Sequence, residues 1–174
     1  RVTGLFAEEG ERLQEGYLVV TIDDLLYRAQ VEQARVTVAS ARSQSAVVKA
    51  NLDGVHITLA RIRKLLSTGS ATQMQLDEVE TQEEVLKAQQ KVVGAQVVQA
   101  EAALQLAETQ LAYTRVSAPV SGTVIRRDVE LGETVLPGSA LMTLADLSTM
   151  EVKVYIPGPM LGRIRIGQRV ELVT

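Results

Sequence analysis

The feature that most restricts the fold is a heptad pattern held across residues 24–115 and bracketed by two copies of one short motif. Steps of four and three along the first arm give Tyr27, Val31, Ala34, Val38, Ala41, Ser45, Val48, Leu52, Val55, Leu59, Ile62 and Leu66. The second arm gives Leu76, Val79, Glu83, Leu86, Gln90, Val93, Val97, Ala100, Leu104, Ala107, Leu111 and Thr114. Only Ser45, Glu83, Gln90 and Thr114 interrupt the apolar stripes, and no proline falls within the insert. Such spacing lays one apolar stripe along each helix, the condition for a coiled coil. Each arm of about 40 residues spans roughly 60 Å.

The arms are separated by Ser67-Thr68-Gly69-Ser70-Ala71-Thr72. Gly69 suits the left-handed position that ends a helix. Thr72 with Gln75 three residues on is a capping-box pattern that starts the next helix. So short a loop makes the arms antiparallel neighbours. Charge supports the pairing. Residues 24–66 carry Arg28, Arg35, Arg42, Lys49, Arg61, Arg63 and Lys64 against Asp24, Glu32 and Asp53, a balance of +4. Residues 73–115 carry Asp77, Glu78, Glu80, Glu83, Glu84, Glu101 and Glu108 against Lys87, Lys91 and Arg115, a balance of −4. Antiparallel pairing puts partners at positions summing to about 142, so that Leu59 lies opposite Glu83, Leu52 opposite Gln90 and Val48 opposite Val93. The polar seam residues help to fix that register.

The insert interrupts an internal repeat. Gly10-Glu11-Arg12-Leu13 and Gly132-Glu133-Thr134-Val135 align, as do Gly16 with Gly138 and Thr21 with Thr143. Val2 precedes Gly10 by the interval at which Val124 precedes Gly132. Short alternating apolar runs broken by glycine read as strands and tight turns. Neither copy, at about 25 residues, buries a core alone. The two are therefore expected to pack as one β-sandwich, with Val2, Leu13, Ile22, Val124, Val135 and Leu144 in a shared core and the chain crossing between copies. The insert's ends must then lie close together. Residues 148–174 read as strands around a turn at Pro157-Gly158-Pro159, the start of a further β-domain. The chain begins without Met and stops within a strand pattern at Val170-Glu171-Leu172-Val173, so it is read as part of a longer protein.

Chemistry-bearing motifs are scarce. Cysteine is absent, which removes disulfides and thiolate metal sites. A net charge of −3 gives no general attraction for nucleic acid or anionic lipid. Aromatic residues make up only 3% of the chain, against the larger share that a sizeable globular core uses. No apolar run is long enough to span a bilayer. His56, the one histidine, falls off the seam on a helix; as a ligand it has no partner, and it reads as a surface residue; no Ser/His/Asp set and no phosphate-binding loop accompanies it. Glu83-Glu84 reads as a solvated face plus one seam irregularity. No enzyme, cofactor or metal site is expected. A lipoyl or biotinyl carrier needs a modifiable lysine on the turn between the halves. Asp23-Asp24 lead into the insert at that place, and Lys49, Lys64, Lys87 and Lys91 all lie on its arms.

The split halves and their hairpin resemble the periplasmic adaptor, or membrane-fusion, family of bacterial tripartite efflux and secretion systems (HlyD-like). Ala118-Pro119-Val120-Ser121-Gly122-Thr123-Val124 is similar to the start of the family's second half-motif. Ala145-Asp146-Leu147-Ser148-Thr149-Met150 with Gly167-Gln168-Arg169-Val170 is similar to its approach to a β-barrel. At the hairpin tip the family carries Arg-Leu-x-x-Leu, six residues, then Ser. Arg61, Ile62, Leu65 and Thr72 hold those spacings here, with Ile in place of Leu and Thr in place of Ser. The resemblance implies an α+β fold: a lipoyl-like β-sandwich half at 1–23, a coiled-coil α-hairpin at 24–115, the second lipoyl-like half at 116–147 and a partial β-barrel at 148–174. It implies a non-enzymatic adaptor that links an inner-membrane transporter to an outer-membrane channel met by Arg61, Ile62, Leu65 and Thr72. It further implies a homo-oligomeric ring of six and a periplasmic location, with an inner-membrane anchor outside this chain. The arms are long for hairpins beside proton-driven (RND) pumps, which favours an ATP-driven (ABC) exporter. The alternatives are a structural coiled-coil scaffold and the carrier module.

Overall fold

The computed structural model describes residues 1–147, 155, 157–163, 165, 167 and 168. Three strands, β1 (Val2–Leu5), β2 (Arg12–Leu13) and β3 (Leu18–Ile22), precede two helices, α1 (Leu25–Ser67) and α2 (Gln73–Ala112). Three more strands follow: β4 (Arg115–Ser117), β5 (Gly122–Arg127) and β6 (Met142–Ala145).

The strands form two antiparallel sheets, ordered β1-β3-β4 and β2-β5-β6, so each sheet draws strands from both sides of the insert. The repeat explains the crossing. Gly10 N–H donates to Val124 C=O at 2.8 Å, and Val124 N–H to Glu11 C=O at 2.9 Å. The equivalent groups of the other copy make the reciprocal pair, Gly132 N–H to Val2 C=O at 3.0 Å and Val2 N–H to Glu133 C=O at 2.8 Å. Gly10 and Gly132 share the same left-handed turn conformation, φ 86° and 88°. The module is a pseudo-two-fold in which each copy completes the other's hydrogen bonding.

Its core follows from that exchange. Val2, Ala7, Leu13, Val19, Val20, Ala118, Val124 and Val129 are buried together, with Ile22, Val135 and Leu144 packed against them. All six residues nominated from sequence lie in this cluster. Burial of Ala7, Val19, Val20, Ala118 and Val129 is added by the sheet packing.

The helices leave the sandwich side by side. Ile22 N–H donates to Thr114 C=O at 2.8 Å, next to the β3–β4 ladder. Thr114, a polar end to the seam, is buried, and its hydroxyl donates to Leu111 C=O at 2.7 Å. Every seam position named above is buried or half-buried along both helices. The cross-arm ion pairs Arg35–Glu108, Arg42–Glu101 and Arg63–Glu80 join positions that sum to 143, within one residue of the expected register.

Beyond the sandwich, the turn expected at Pro157-Gly158-Pro159 is instead the start of a 3-10 helix, Gly158–Arg163. The fixed φ of Pro159, about −65°, suits that conformation. Gly162, expected to open a strand, lies in the same helix. Tyr155, Arg165, Gly167 and Gln168, also within the expected strands, lie in none, while Met150 and residues 151–154 and 170–173 lie outside the described residues.

Candidate functional site

The loop end of the hairpin is built by local capping. Ser70 N–H donates to Leu65 C=O and Gly69 N–H to Leu66 C=O, with Gly69 at φ 71°. Together they close α1 in a Schellman motif. The Thr72 hydroxyl accepts from Gln75 N–H at 3.3 Å, and the Gln75 side chain accepts from Thr72 N–H at 2.9 Å. This capping box starts α2 without a further linker. The turn is therefore well determined although every residue from Ser67 to Ser70 is exposed.

On this frame the four tip residues take different positions. Arg61 is exposed and enters no ion pair among the described residues. Leu65, one helical turn on and on the same side, remains 38% exposed. Ile62 is half-buried in the seam between the helices, and Thr72 is exposed with its oxygen engaged by the cap. Arg61 and Leu65 thus form the outward pair, a guanidinium fork beside an apolar knob. Arg63, two residues from Arg61, is held across the seam by Glu80 at 2.9 Å.

Midway along the hairpin is a polar cluster. Glu83 sits at a seam position with 14% of its side chain exposed, its Oε1 2.7 Å from Lys87 Nζ and 2.9 Å from His56 Nε2. His56 is exposed, as expected of a surface residue, and its ion pair with Glu83 is an addition to that reading. It belongs to a row at seven-residue steps, Arg28, Arg35, Arg42, Lys49, His56 and Arg63, facing the acidic arm. That spacing is the sequence signal for its role. The Lys87 hydrogen bond and charge, with help from His56, outweigh desolvation and hold the Glu83 carboxyl below its ordinary value of 4.5. A carboxyl so depressed adds stability above its unfolded pKa, and that contribution is lost as pH falls through the lower folded value. Glu83→Leu restores an apolar seam and removes this acid-sensitive term. Relative to the parent, its melting temperature should rise as pH falls through and below the ordinary carboxylate range. An offset independent of pH in thermal melts by circular dichroism would count against the cluster.

A split sandwich that grips the base of a two-helix spacer and leaves a capped loop end exposed defines a class of fold: a helical hairpin inserted in a divided β-module. A family model described as RND MFP, barrel-sandwich hybrid domain, matches residues 1–147. The chain belongs to this membrane-fusion protein family. The Macrolide export protein MacA of Escherichia coli O157:H7 is 29% identical over 163 residues, which is 92% of this chain and 44% of that protein. The Multidrug resistance protein MdtA of Yersinia pestis (strain Pestoides F) is 32% identical over 151 residues, 87% of this chain and 31% of that protein. The chain thus spans less than half the length of these curated relatives.

Among solved structures, MacA from Actinobacillus actinomycetemcomitans matches with a TM-score of 0.75 at 28% identity, over 84% of this chain and 46% of that one. A MacA-MexA chimeric protein, containing the Pseudomonas aeruginosa MexA alpha-hairpin domain, matches at 0.55 and 25% identity, over 84% of this chain and 43% of that one.

Proposed function

We propose that this chain is the core of a periplasmic adaptor that links an inner-membrane exporter to an outer-membrane channel through its hairpin tip. The observation that carries the reading is the clamp at the hairpin base. Strands β3 and β4 pair directly below the helices, so the sandwich projects the tip roughly 60 Å outward. A scaffold made only of coiled coil has no use for such a mount. The carrier reading fails because the place of a modifiable lysine is occupied by the helices. The adaptor role asks for no chemical step from the chain.

In this reading, residues 1–23 and 116–147 form the lipoyl-like mount, 24–115 the hairpin, and 148–174 lead into a β-barrel domain. Several copies, six by family resemblance, assemble with their hairpins side by side, since one copy cannot enclose a conduit. Among the described residues no helix is long and apolar enough to cross a membrane. The inner-membrane anchor is assigned to a segment outside this chain. Arms of 43 and 40 residues favour an ATP-driven exporter over a proton-driven one. The lower TM-score of the chimera, whose hairpin comes from MexA, is in keeping with a hairpin of the MacA kind. Relatives named for macrolide export and multidrug resistance point to an efflux cargo.

Arg61, Ile62, Leu65 and Thr72 are assigned to the channel contact, with Arg61 and Leu65 as its outward members. Arg61→Asp is expected to reduce export to background while helicity is unchanged, because Arg61 supports no contact within the fold. Leu65→Ser should weaken export in the same way. Thr72→Ala is a poorer probe, since it also removes a cap worth about 1 kcal/mol. Drug-resistance assays on the full-length protein, with circular dichroism as the control for folding, decide the matter. Full activity in both Arg61→Asp and Leu65→Ser would remove the tip as the docking surface.

A further inference from the structure

Writing Val31 and Ala34 of α1, and Leu76 and Val79 of α2, as heptad positions a and d divides the hairpin surface into two edges. The e and b positions form one edge, crossed by the ion pairs Arg35–Glu108, Arg42–Glu101 and Arg63–Glu80. The c and g positions form the other. Between Gln30 and Thr58 of α1, and between Gln82 and Tyr113 of α2, that second edge carries no charged side chain. Amides face each other across it, Gln30 with Gln110 and Gln44 with Gln96, along two shallow grooves of 460 and 490 Å³. Its flanks are the c residues Leu26, Val47, Val85, Val92, Leu106 and Tyr113, which are between 58% and 74% exposed. An uncharged face about 40 Å long and about 20 Å wide covers about 800 Å². That equals one partner's share of a standard interface.

We propose that this edge packs against the same edge of a second copy of the chain, the two hairpins lying parallel about a two-fold axis that runs along them. Charge complementarity selects this arrangement. The only charged residues at c or g positions are Arg61 and Glu78, both near the loop, both exposed and in no ion pair among the described residues. A two-fold along the hairpins sets α1 of one copy against α2 of the other at equal height. Arg61 then meets Glu78 of the other copy, twice by symmetry. The same alignment sets Val47 beside Val92 and Leu26 beside Tyr113. An antiparallel pair would lay Arg61 over the apolar base of the other hairpin. Stacking the uncharged edge of one copy directly on the ion-paired edge of another would desolvate those charges. Glutamine amides both donate and accept, so the central grooves are complementary to themselves. The pairing concerns two free chains, before any ring closes. It competes with a docked tip for Arg61.

The absence of cysteine allows a direct test. Mixed under mild oxidation, Val47→Cys and Val92→Cys chains should give a disulfide-linked dimer. Neither alone should exceed a Val36→Cys control on the far side of α1. Efficient self-crosslinking of Val47→Cys alone indicates the antiparallel pair and overturns the proposal. So does a mixture that yields no dimer while the parent sediments as a monomer at every concentration reached. In sedimentation equilibrium, Glu78→Arg should weaken the dimer about tenfold or more, and adding Arg61→Glu to the same chain should restore it. Failure of the double reversal to restore association rejects the charge alignment. Neither measurement involves a channel or a transporter, so the outcome is separate from that of the export assays.

Discussion

Excising residues 25–112 and joining Asp24 to Tyr113 through a short turn is expected to leave a folded β-sandwich that supports no export at all. The ends of the insert are already adjacent, since Ile22 N–H bonds Thr114 C=O and β3 pairs with β4. Closing so short a loop costs little entropy. No residue of α1 or α2 belongs to the buried cluster around Val2, Val20 and Val124. The reciprocal bonds at Gly10 lie beside the β2–β5 pair, away from the cut, while those at Gly132 engage Val2, which pairs with Ile22 next to the new turn. A domain of this size is marginal, so the melting temperature of the excised protein is informative in itself. Amide spectra with strand-like dispersion and a cooperative melt are the expected result. An unfolded product would mean that the hairpin base, through Tyr27 and Tyr113 beside Leu136, is part of the sandwich core.

Gly122→Val should unfold the same module. Gly122 is buried and opposite Leu13 in the β2–β5 pair. A Cβ there would stand 2.9 Å from the Ala145 carbonyl oxygen and 3.2 Å from its carbon. Both are backbone atoms of the paired strand β6, so no side chain can move aside. Forcing the strands apart should destabilise the module by about 3 kcal/mol or more, a large part of what so small a domain has. Gly132→Ala is the comparison. Its site is open, with only the Arg1 guanidinium at 3.9 Å, but its φ is 88°. That substitution should destabilise by about 1–2 kcal/mol through backbone strain alone. Urea titration of both variants separates crowding from strain, and equal losses would contradict the close strand approach at Gly122.

The hairpin was legible because period and length act together: a stripe at alternating threes and fours over two such arms has no competing strand solution. Gly69, Thr72 and Gln75 marked the turn because their capping roles depend on local geometry alone. The crossing of the sandwich could be read from the equal spacing of Val2 to Gly10 and Val124 to Gly132. Strand pairing was less accessible. β4, Arg115–Ser117, is too short to carry a pattern, and only the closed insert brings it beside β3. The surface position of His56 was legible, but its ion pair was not, because Glu83 was counted as a seam irregularity when it is the centre of a polar cluster. The two unlike edges emerge only when ion pairs fix which residues share a side. At Pro157-Gly158-Pro159 the same residues serve a turn or a 3-10 helix, and composition does not choose between them.

The joint between sandwich and hairpin has a mechanical consequence. Two links, Asp23-Asp24 and Tyr113-Thr114, connect a sheet to a lever roughly 60 Å long. A tilt of about 10° at that fulcrum would displace the tip by about 10 Å, twice the rise of a helical turn. Asp23 N–H bonded to Arg1 C=O at 2.7 Å and the buried Thr114 hydroxyl bonded to Leu111 C=O at 2.7 Å limit that freedom on both arms. Small rearrangements among these few bonds, rather than bending of the helices, would set how far the tip reaches.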